Sequence, residues 1–402
     1  MNLVSIRIKR SNALERNCTC TVGSRPTSGD GGAIHLNDLS DLPFSNSSNT
    51  LLVKNSSITL NAALRSGGIF NHGGNLYLDS TTIEDNSSYT YLDFDGGVFD
   101  YQNGGDGIYN LEATATISNS TITSNNAFNS SGGGIANRSS TVAIDTTTID
   151  RNRASYGAGV FALHTNLTLD NSTISNNKSI SFLTESGESG IAAGGGLFVG
   201  GDSIDESTTT ITNSTIANNT YSDVGGGITL DRGILTIANS TIYQNAALGQ
   251  SIFVNSAGVV NVDSSIFYTT SPLIGGNNNS KEIQYIYSDD KTISVTNSII
   301  GSAKDNNSIN GSFEGTVFNV DPLLDPNGLQ NNGGSTETIA LLENSPAIGA
   351  GSNPNNLTTD QRGEGYDRVR GNTIDVGAYE YQDDDFLGTP DRDTLTGDSD
   401  GQ

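Results

Sequence analysis

The chain contains no tryptophan, one methionine and two cysteines among its 402 residues. Cys18 and Cys20 are separated by one residue, which disfavours a mutual disulfide and leaves too few ligands for a zinc site. No run of 18 apolar residues occurs, so no transmembrane helix is expected. The first twenty residues lack the apolar stretch of a secretory signal peptide. These absences disfavour a disulfide scaffold and a membrane-spanning protein.

Basic residues are also scarce. Acidic residues outnumber them 44 to 19, which gives a formal net charge of −25. A surface of this sign repels phosphate backbones and anionic membranes, so we expect no nucleic-acid partner. The carboxylates are oxygen ligands of the kind that a hard cation such as calcium prefers.

A ten-residue segment recurs along the chain, as "ISNSTITSNN" (117–126), "LDNSTISNNK" (169–178), "ITNSTIANNT" (211–220) and "IANSTIYQNA" (237–246). In the last copy's region, Leu235 and Ile237 alternate with small residues, which indicates a strand. Ile242 follows Ile237 by five positions, and an odd step cannot stay on one face of a continuous strand. Asn239 tolerates a left-handed backbone, so "NST" predicts a corner.

The repeat predicts a solenoid. The isoleucine after each corner, whose shortest spacings are 24 to 27 residues, is predicted to point inward at positions 83, 122, 149, 174, 216, 242, 266 and 299. Glycine-led segments such as "GGGIT" (225–229) supply a further strand, so we expect three strands and three corners per coil. Stacked coils would place Asn and Thr in ladders and Ile and Leu inside. The predicted fold is all-β, a single-stranded right-handed parallel β-helix of about ten or more coils.

This pattern resembles the pectate-lyase-like family over roughly residues 29–305, which follow an N-terminal segment (1–28). Residues 306–382 resemble the C-terminal region of bacterial choice-of-anchor Q proteins, through "NGG" (332–334), "SPAI" (345–348), "DQRG" (360–363) and "DVGAYE" (375–380). We interpret them as a C-terminal cap over the open end of the coils. Asp360 and Arg362 are expected to form a structural ion pair, with Asp375 or Glu380 nearby.

The final segment "LGTPDRDTLTGDSDGQ" (387–402) resembles the start of RTX calcium-binding repeats, within an incomplete tail (383–402). The resemblance implies weak calcium binding and type I secretion to the extracellular space or cell surface. The candidate metal ligands are Asp391, Asp393, Asp398 and Asp400. The alternative calcium site is in the first long loop, with Asp93, Asp95 and Asp100.

Two long insertions, after Ile83 and after Ile174, are expected to form the walls of a groove about 14 Å wide. Alternation places one residue of each glycine-led strand on the groove floor, and four of these are aromatic: Phe70, Tyr109, Phe161 and Phe198. Exposed rings would stack on sugars, and the alternative is that they pack beneath the loops. Arg138, His164 and Asp231 are predicted near the rim, where His164 and Asp231 are candidate carbohydrate-binding residues together with the four aromatics.

Two functions remain open. The first is a non-catalytic β-helix, expected as a monomer, that binds a polysaccharide or cell-surface glycan or acts in adhesion. The second is a polysaccharide-active enzyme, such as a uronate lyase, hydrolase or epimerase. Lyase chemistry requires a base near the sugar ring, for which Arg138 is the candidate. Whether the chain is an enzyme is not decided by its sequence.

Overall fold

In the computed structural model, the structure describes residues 15–16, 19–21, 32–37, 50–63, 66–89, 104–181, 192–202, 207–220, 225–245, 251–269, 283–285, 292–301 and 311–382. Every regular element in these ranges is a β-strand, and there are 34 of them. No helix long and apolar enough to cross a bilayer occurs in these ranges.

The largest sheet has 18 strands arranged in two columns. The first column contains the glycine-led strands β3 (Ile34–Asn37), β7 (Ile69–His72), β11 (Ile108–Leu111), β15 (Ile135–Arg138), β19 (Val160–Leu163) and β23 (Leu197–Gly200), together with β30 (Ile283–Tyr285). The second column contains β1 (Glu15–Arg16), β4 (Thr50–Lys54), β8 (Asn75–Asp79), β12 (Thr114–Ser118), β16 (Thr141–Asp145), β20 (Asn166–Asp170), β24 (Thr208–Thr212), β31 (Thr292–Thr296) and β33 (Gly311–Ser312). Two long strands run through both columns, β26 (Ile228–Ala238) and β28 (Ile252–Asp263).

The second sheet has 11 strands, β2 (Thr19–Thr21), β5 (Ser57–Thr59), β9 (Thr82–Glu84), β13 (Thr121–Thr123), β17 (Thr148–Asp150), β21 (Thr173–Ser175), β25 (Thr215–Ala217), β27 (Thr241–Tyr243), β29 (Ile266–Tyr268), β32 (Ile299–Ile300) and β34 (Val317–Phe318). The third has five, β6 (Ala62–Ala63), β10 (Ser87–Tyr89), β14 (Asn126–Phe128), β18 (Arg153–Ala154) and β22 (Lys178–Ser179). Neighbouring coils pair in parallel throughout, for example Ile122 with Ile149 and Ile149 with Ile174. The chain is a parallel β-helix, and the predicted fold class and coil number are confirmed.

A full coil has four strands rather than the three predicted. The chain runs from β7 through β8 and β9 into β10 before the next coil begins. The extra strand follows a corner between the third and fourth strands of the coil, at which Asp85 has a left-handed backbone (φ 52°) and Asn86 is buried. After this corner, two or three residues still lie parallel to the neighbouring coil, and their backbone groups pair there.

The coil also extends beyond both predicted boundaries. At one end, β1 and β2 pair with β4 and β5, so the segment 1–28 contributes strands to the solenoid. At the other end, β33 and β34 pair with β31 and β32. The described coil therefore continues to Phe318 rather than ending at residue 305.

The inward isoleucines form one continuous core. The predicted inward residues at positions 83, 122, 149, 174, 216 and 242 are each at most 1 % exposed and belong to it. The prediction is wrong for Ile266 and Ile299. Ile266 is in register with the outward Thr241, and its neighbour Phe267 takes the inward place of Ile242. Ile299 is likewise displaced, because Ile300 pairs with Phe267.

The corner between the second and third strands of each coil explains the repeated "NST". Asn119, Asn171, Asn213 and Asn239 all have left-handed backbones, with φ between 47° and 52°, as predicted for Asn239. The hydroxyl of the next residue accepts a hydrogen bond from the backbone N–H of its equivalent one coil away, at 3.0–3.3 Å. This ladder joins Thr81, Ser120, Thr147, Ser172, Ser214, Ser240, Ser265 and Ser298. Each coil needs both a left-handed residue and a hydroxyl here.

A second ladder consists of buried asparagines, which pass one amide hydrogen bond to the next coil at 2.8–3.0 Å. Its members are Asn61, Asn86, Asn125, Asn152, Asn177, Asn219 and Asn245. Each interior amide also donates to a backbone carbonyl, as Asn152 does to Ile122 (2.9 Å). The ladder satisfies polar groups at a corner where burial would otherwise leave them unpaired.

The C-terminal region (residues 320–382) lies against the side of the coils, which corrects its predicted place over the open end. The Oγ1 hydroxyl of Thr215 donates to the Gln361 side chain (2.6 Å), and the Ala378 N–H donates to Thr241 Oγ1 (3.0 Å). Ile266 and Ile299 pack in a cluster with Leu341 and Val376, among others. From β21 to β32, the outward residues of the second sheet are hydroxyl-bearing or apolar. The C-terminal region covers these residues.

Candidate functional site

The four predicted groove aromatics are buried. Phe70, Tyr109 and Phe161 are each 2 % exposed and Phe198 is 7 % exposed. Their rings contact one another along the column, with centroids 5.2 Å apart for Phe70 and Tyr109 and 5.3 Å for Phe161 and Phe198. They point away from the main core, as alternation predicted, into a separate cluster with residues such as Ala136 and Leu163. Their predicted exposure is wrong, because they are buried and pack against one another in this cluster. That they pack beneath the long loops stays a prediction, since those loops lie outside the described residues.

The predicted rim residues lie close to one corner but in different settings. Arg138 is half-buried and in register with Leu111 and Leu163 on the neighbouring coils. His164 occupies a left-handed corner (φ 50°), and its Nε2 accepts the backbone N–H of Asp202 at 3.1 Å. Asp231 is half-buried, at the register shift in β26. The role of Arg138 as a lyase base stays a prediction.

The calcium predictions fall outside the described residues. This holds for the tail residues Asp391, Asp393, Asp398 and Asp400, for the loop residues Asp93, Asp95 and Asp100, and for most of both insertions. Within the described ranges, no group of three or more His, Cys, Asp or Glu side chains could hold a metal ion. Calcium binding by the tail therefore stays a prediction.

The second strand column presents an exposed polar surface that the sequence analysis missed. Eight successive in-register pairings join nine strands from β4 to β31, a length of roughly 38 Å at about 4.8 Å per pairing. The first and third residues of each five-residue segment face outward, and in the long strands β26 and β28 these segments are residues 234–238 and 259–263. We define the polar face as these residues: Thr50, Leu52, Asn75, Tyr77, Thr114, Thr116, Thr141, Ala143, Asn166, Thr168, Thr208, Thr210, Ile234, Thr236, Val259, Asn261, Thr292 and Ser294. Segments such as "TATIS" and "TTTIT" carried the signal, as alternating threonines.

Hydroxyl and amide groups dominate this face. Thr114, Thr141, Asn166 and Thr168 are exposed, and Tyr77, the third residue of β8, is 42 % exposed. The groups interact across coils, since the Thr208 hydroxyl donates to Asn166 Oδ1 at 2.7 Å. The result is a row of fixed donors and acceptors with one aromatic ring near its end.

An acidic edge borders part of the polar face, because the fifth position is Asp79, Asp145, Asp170 or Asp263 on four of the nine strands. The fifth residue of β4 is Lys54, which lies 3.8 Å from Asp79. Asp145 and Asp170 are direct neighbours on successive coils. Burial raises the pKa of Asp170, and the nearby Asp145 carboxylate adds to this shift. The hydrogen bond from Asn119 lowers the pKa of Asp79. This edge disfavours a polyanionic ligand.

The predicted structural ion pair in the C-terminal region is confirmed. Arg362 Nη2 lies 2.7 Å from Asp360 Oδ2, and both side chains are fully buried. The guanidinium group is sandwiched between the rings of Tyr366 (3.9 Å) and Tyr379 (3.8 Å). A charge buried this deeply needs a partner. The pair also holds the segment at Glu380 in place, because Arg362 Nη2 donates to the Glu380 carbonyl (2.7 Å) and Asp360 Oδ2 accepts the Glu380 N–H (2.8 Å).

A second buried pair lies beside it. Arg368 Nε is 3.6 Å from Glu380 Oε2, and Arg368 Nη2 donates to the carbonyls of Asp375 and Gly377. Burial raises the pKa of Glu380 to about 8, against the lowering effect of Arg368. Burial also raises the pKa of Asp375. Every charged group here contacts the region's own backbone or another member, which is the pattern of a structural network.

No protein-family model matches the chain, and a search of curated proteins found no match either. The resemblances to pectate-lyase-like, choice-of-anchor Q and RTX proteins therefore rest on the motifs quoted above.

Proposed function

We propose that the protein is a non-catalytic β-helix that binds an extended polysaccharide along its polar face, at a cell surface or outside the cell. The observation that supports this is the length and regularity of that face. Hydroxyl and amide groups repeat once per coil over nine strands, with side chains held by in-register pairing. A glycan chain is likewise a periodic array of hydroxyl donors and acceptors.

The individual contacts on such a face are weak, so binding depends on their number. Several sugar units lie along roughly 38 Å, and each further contact is intramolecular once the first has formed. Tyr77 offers the one exposed ring of the face, on which a sugar can stack. This replaces the aromatic column as the proposed binding surface.

Charge narrows the class of glycan. The formal net charge is −25, and Asp79, Asp145 and Asp170 lie along one border of the face. A polyuronate would be repelled by this border, whereas a neutral chain would not. We therefore propose a neutral polysaccharide, which also makes uronate lyase chemistry on this face unfavourable.

Affinity electrophoresis through gels that contain a neutral β-glucan, a galactomannan or polygalacturonate tests the proposal. We expect retardation by a neutral polymer and none by polygalacturonate. Thr168→Arg places a bulky side chain on an exposed, outward position near the middle of the face and should clearly weaken the retardation without loss of stability. No retardation by any neutral polymer, or retardation by polygalacturonate alone, would refute it.

Leu60→Arg is the matched control, since Leu60 is 55 % exposed at a left-handed corner away from the polar face. Arg151 occupies the equivalent corner on another coil, also with a left-handed backbone, so the fold accepts arginine there. The control carries the same added charge and should bind like the parent. Equal loss of binding in both variants would point to net charge rather than to the polar face.

A further inference from the structure

The C-terminal region contains a pocket of about 410 Å³ that plays no part in the function proposed above. Its wall consists of two antiparallel segments, in which Leu324 bridges to Leu341 and Gln330 bridges to Thr338. The N–H of Asp325 donates to the Ala340 carbonyl at 2.9 Å. The pocket is therefore built on paired backbone rather than on a free loop.

The floor of the pocket is anchored to the solenoid. Leu341 and Tyr379 line the pocket and are both almost fully buried. They pack in the same cluster as Ile266 and Ile299, the two outward isoleucines of the coils. A volume of this size suits a ligand of monosaccharide size and is larger than a single desolvated metal ion needs.

The lining carries negative charge and aromatic rings. Asp325 and Glu343 contribute carboxylates, Tyr379 and Tyr381 contribute rings, and Asn332 contributes an amide. None of the described residues that line the pocket is basic. A positive charge is the complement of such a lining, through charge-assisted hydrogen bonds to the carboxylates and cation–π contact with tyrosine.

The two carboxylates are not neutralised internally. Asp325 accepts the Asn327 N–H and the Gln330 side-chain amide, both at 2.8 Å, and both donors are uncharged. In the described part of the chain, neither Asp325 nor Glu343 forms an ion pair. The guanidinium group of Arg362 lies over the ring of Tyr379, which lines the pocket, but its charge is already matched by Asp360 at 2.7 Å.

We propose that this pocket binds an organic ammonium group carried on a compact C–H surface. The carboxylates of Asp325 and Glu343 receive the ammonium hydrogens, and Leu341 with the tyrosine rings contacts the carbon skeleton. An amino sugar and a lysine side chain share this chemistry. The experiment therefore includes probes that distinguish an amino sugar from a lysine side chain.

Isothermal titration of the whole chain at about pH 6, where amines are protonated and carboxylates ionised, tests the site. The probes form two matched pairs, glucosamine with glucose and Nα-acetyl-lysine amide with its Nε-acetylated form. We expect millimolar or tighter binding of at least one amine, at least tenfold tighter than its neutral counterpart. Binding of glucosamine alone identifies an amino sugar, and binding of the lysine derivative alone identifies a peptide source.

Glu343→Gln is the primary variant, because Glu343 is exposed and its substitution leaves the wall intact. It should weaken amine binding at least fivefold, and the double variant with Asp325→Asn should abolish it. Glu364→Gln is the control, since Glu364 is an exposed acid of the same region outside the pocket lining. Equal affinity for amine and neutral probe, no binding of either amine, or unchanged binding by Glu343→Gln would overturn the proposal.

Discussion

The asparagine ladder makes a quantitative prediction about Asn152, which lies in its interior. The Asn152 Oδ1 accepts hydrogen bonds from the backbone N–H and the side-chain amide of Asn125, both at 3.0 Å. Its Nδ2 donates to the Ile122 carbonyl (2.9 Å) and to Asn177 Oδ1 (3.0 Å). Asn152→Ala removes all four bonds at a position that is 0 % exposed.

Each lost bond costs about 1 kcal/mol, and more where a buried group is left unpaired, so we expect a loss of about 3–6 kcal/mol. For a chain of 402 residues that corresponds to a melting temperature lower by about 4–7 °C. Asn152→Asp should be at least as damaging, because it keeps the acceptors but removes both donors and buries a charge.

Thermal unfolding followed by circular dichroism measures this change, and hydrogen exchange in β13, β17 and β21 locates it. Asn166→Ala is the control, because Asn166 is exposed on the polar face and accepts one hydrogen bond, from Thr208. We expect it to melt within about 1 °C of the parent, as surface changes usually do. If Asn152→Ala behaves like this control, the ladder does not stabilise the coils as argued.

Four further predictions concern other parts of the chain. Burial raises the pKa of Glu380 above its ordinary value, so its stabilising contribution is full below about pH 4.5 and lost as the pH rises through about 8. The melting temperature of the C-terminal region should therefore fall between about pH 4.5 and pH 8, and Glu380→Gln should remove this slope. Asn119→Val should cost about 1–2 kcal/mol at its left-handed corner, whereas Asn119→Gly should be nearly neutral in urea unfolding. Ile266→Asp should expose the C-terminal region to limited proteolysis while the coils stay folded, and cleavage unchanged from the parent would contradict the lateral packing. Calcium titration of the chain, compared with a chain lacking residues 383–402, should show binding no tighter than about millimolar that is lost with the tail. A micromolar site lost with the tail would contradict this prediction.

The sequence alone determined the features that repeat from coil to coil. Six of the eight corner isoleucines point inward, Asn239 and its equivalents take left-handed backbones, and Asp360 pairs with Arg362, all as predicted. These features are readable because each coil meets only its neighbours, about one repeat away in sequence. A local alternation and a local parity break therefore carry enough information to place the side chains.

The sequence did not decide what covers the outside of the coils. Outward positions look alike whether they are solvated, as Thr168 is, or buried, as Phe161 and Ile266 are. The covering contacts join residues far apart in the chain, such as Thr241 with Ala378, separated by 137 positions, and Thr173 with Gln361, separated by 188. Only the tertiary structure brings such segments together, because no local periodicity links a returning segment to the coils on which it packs.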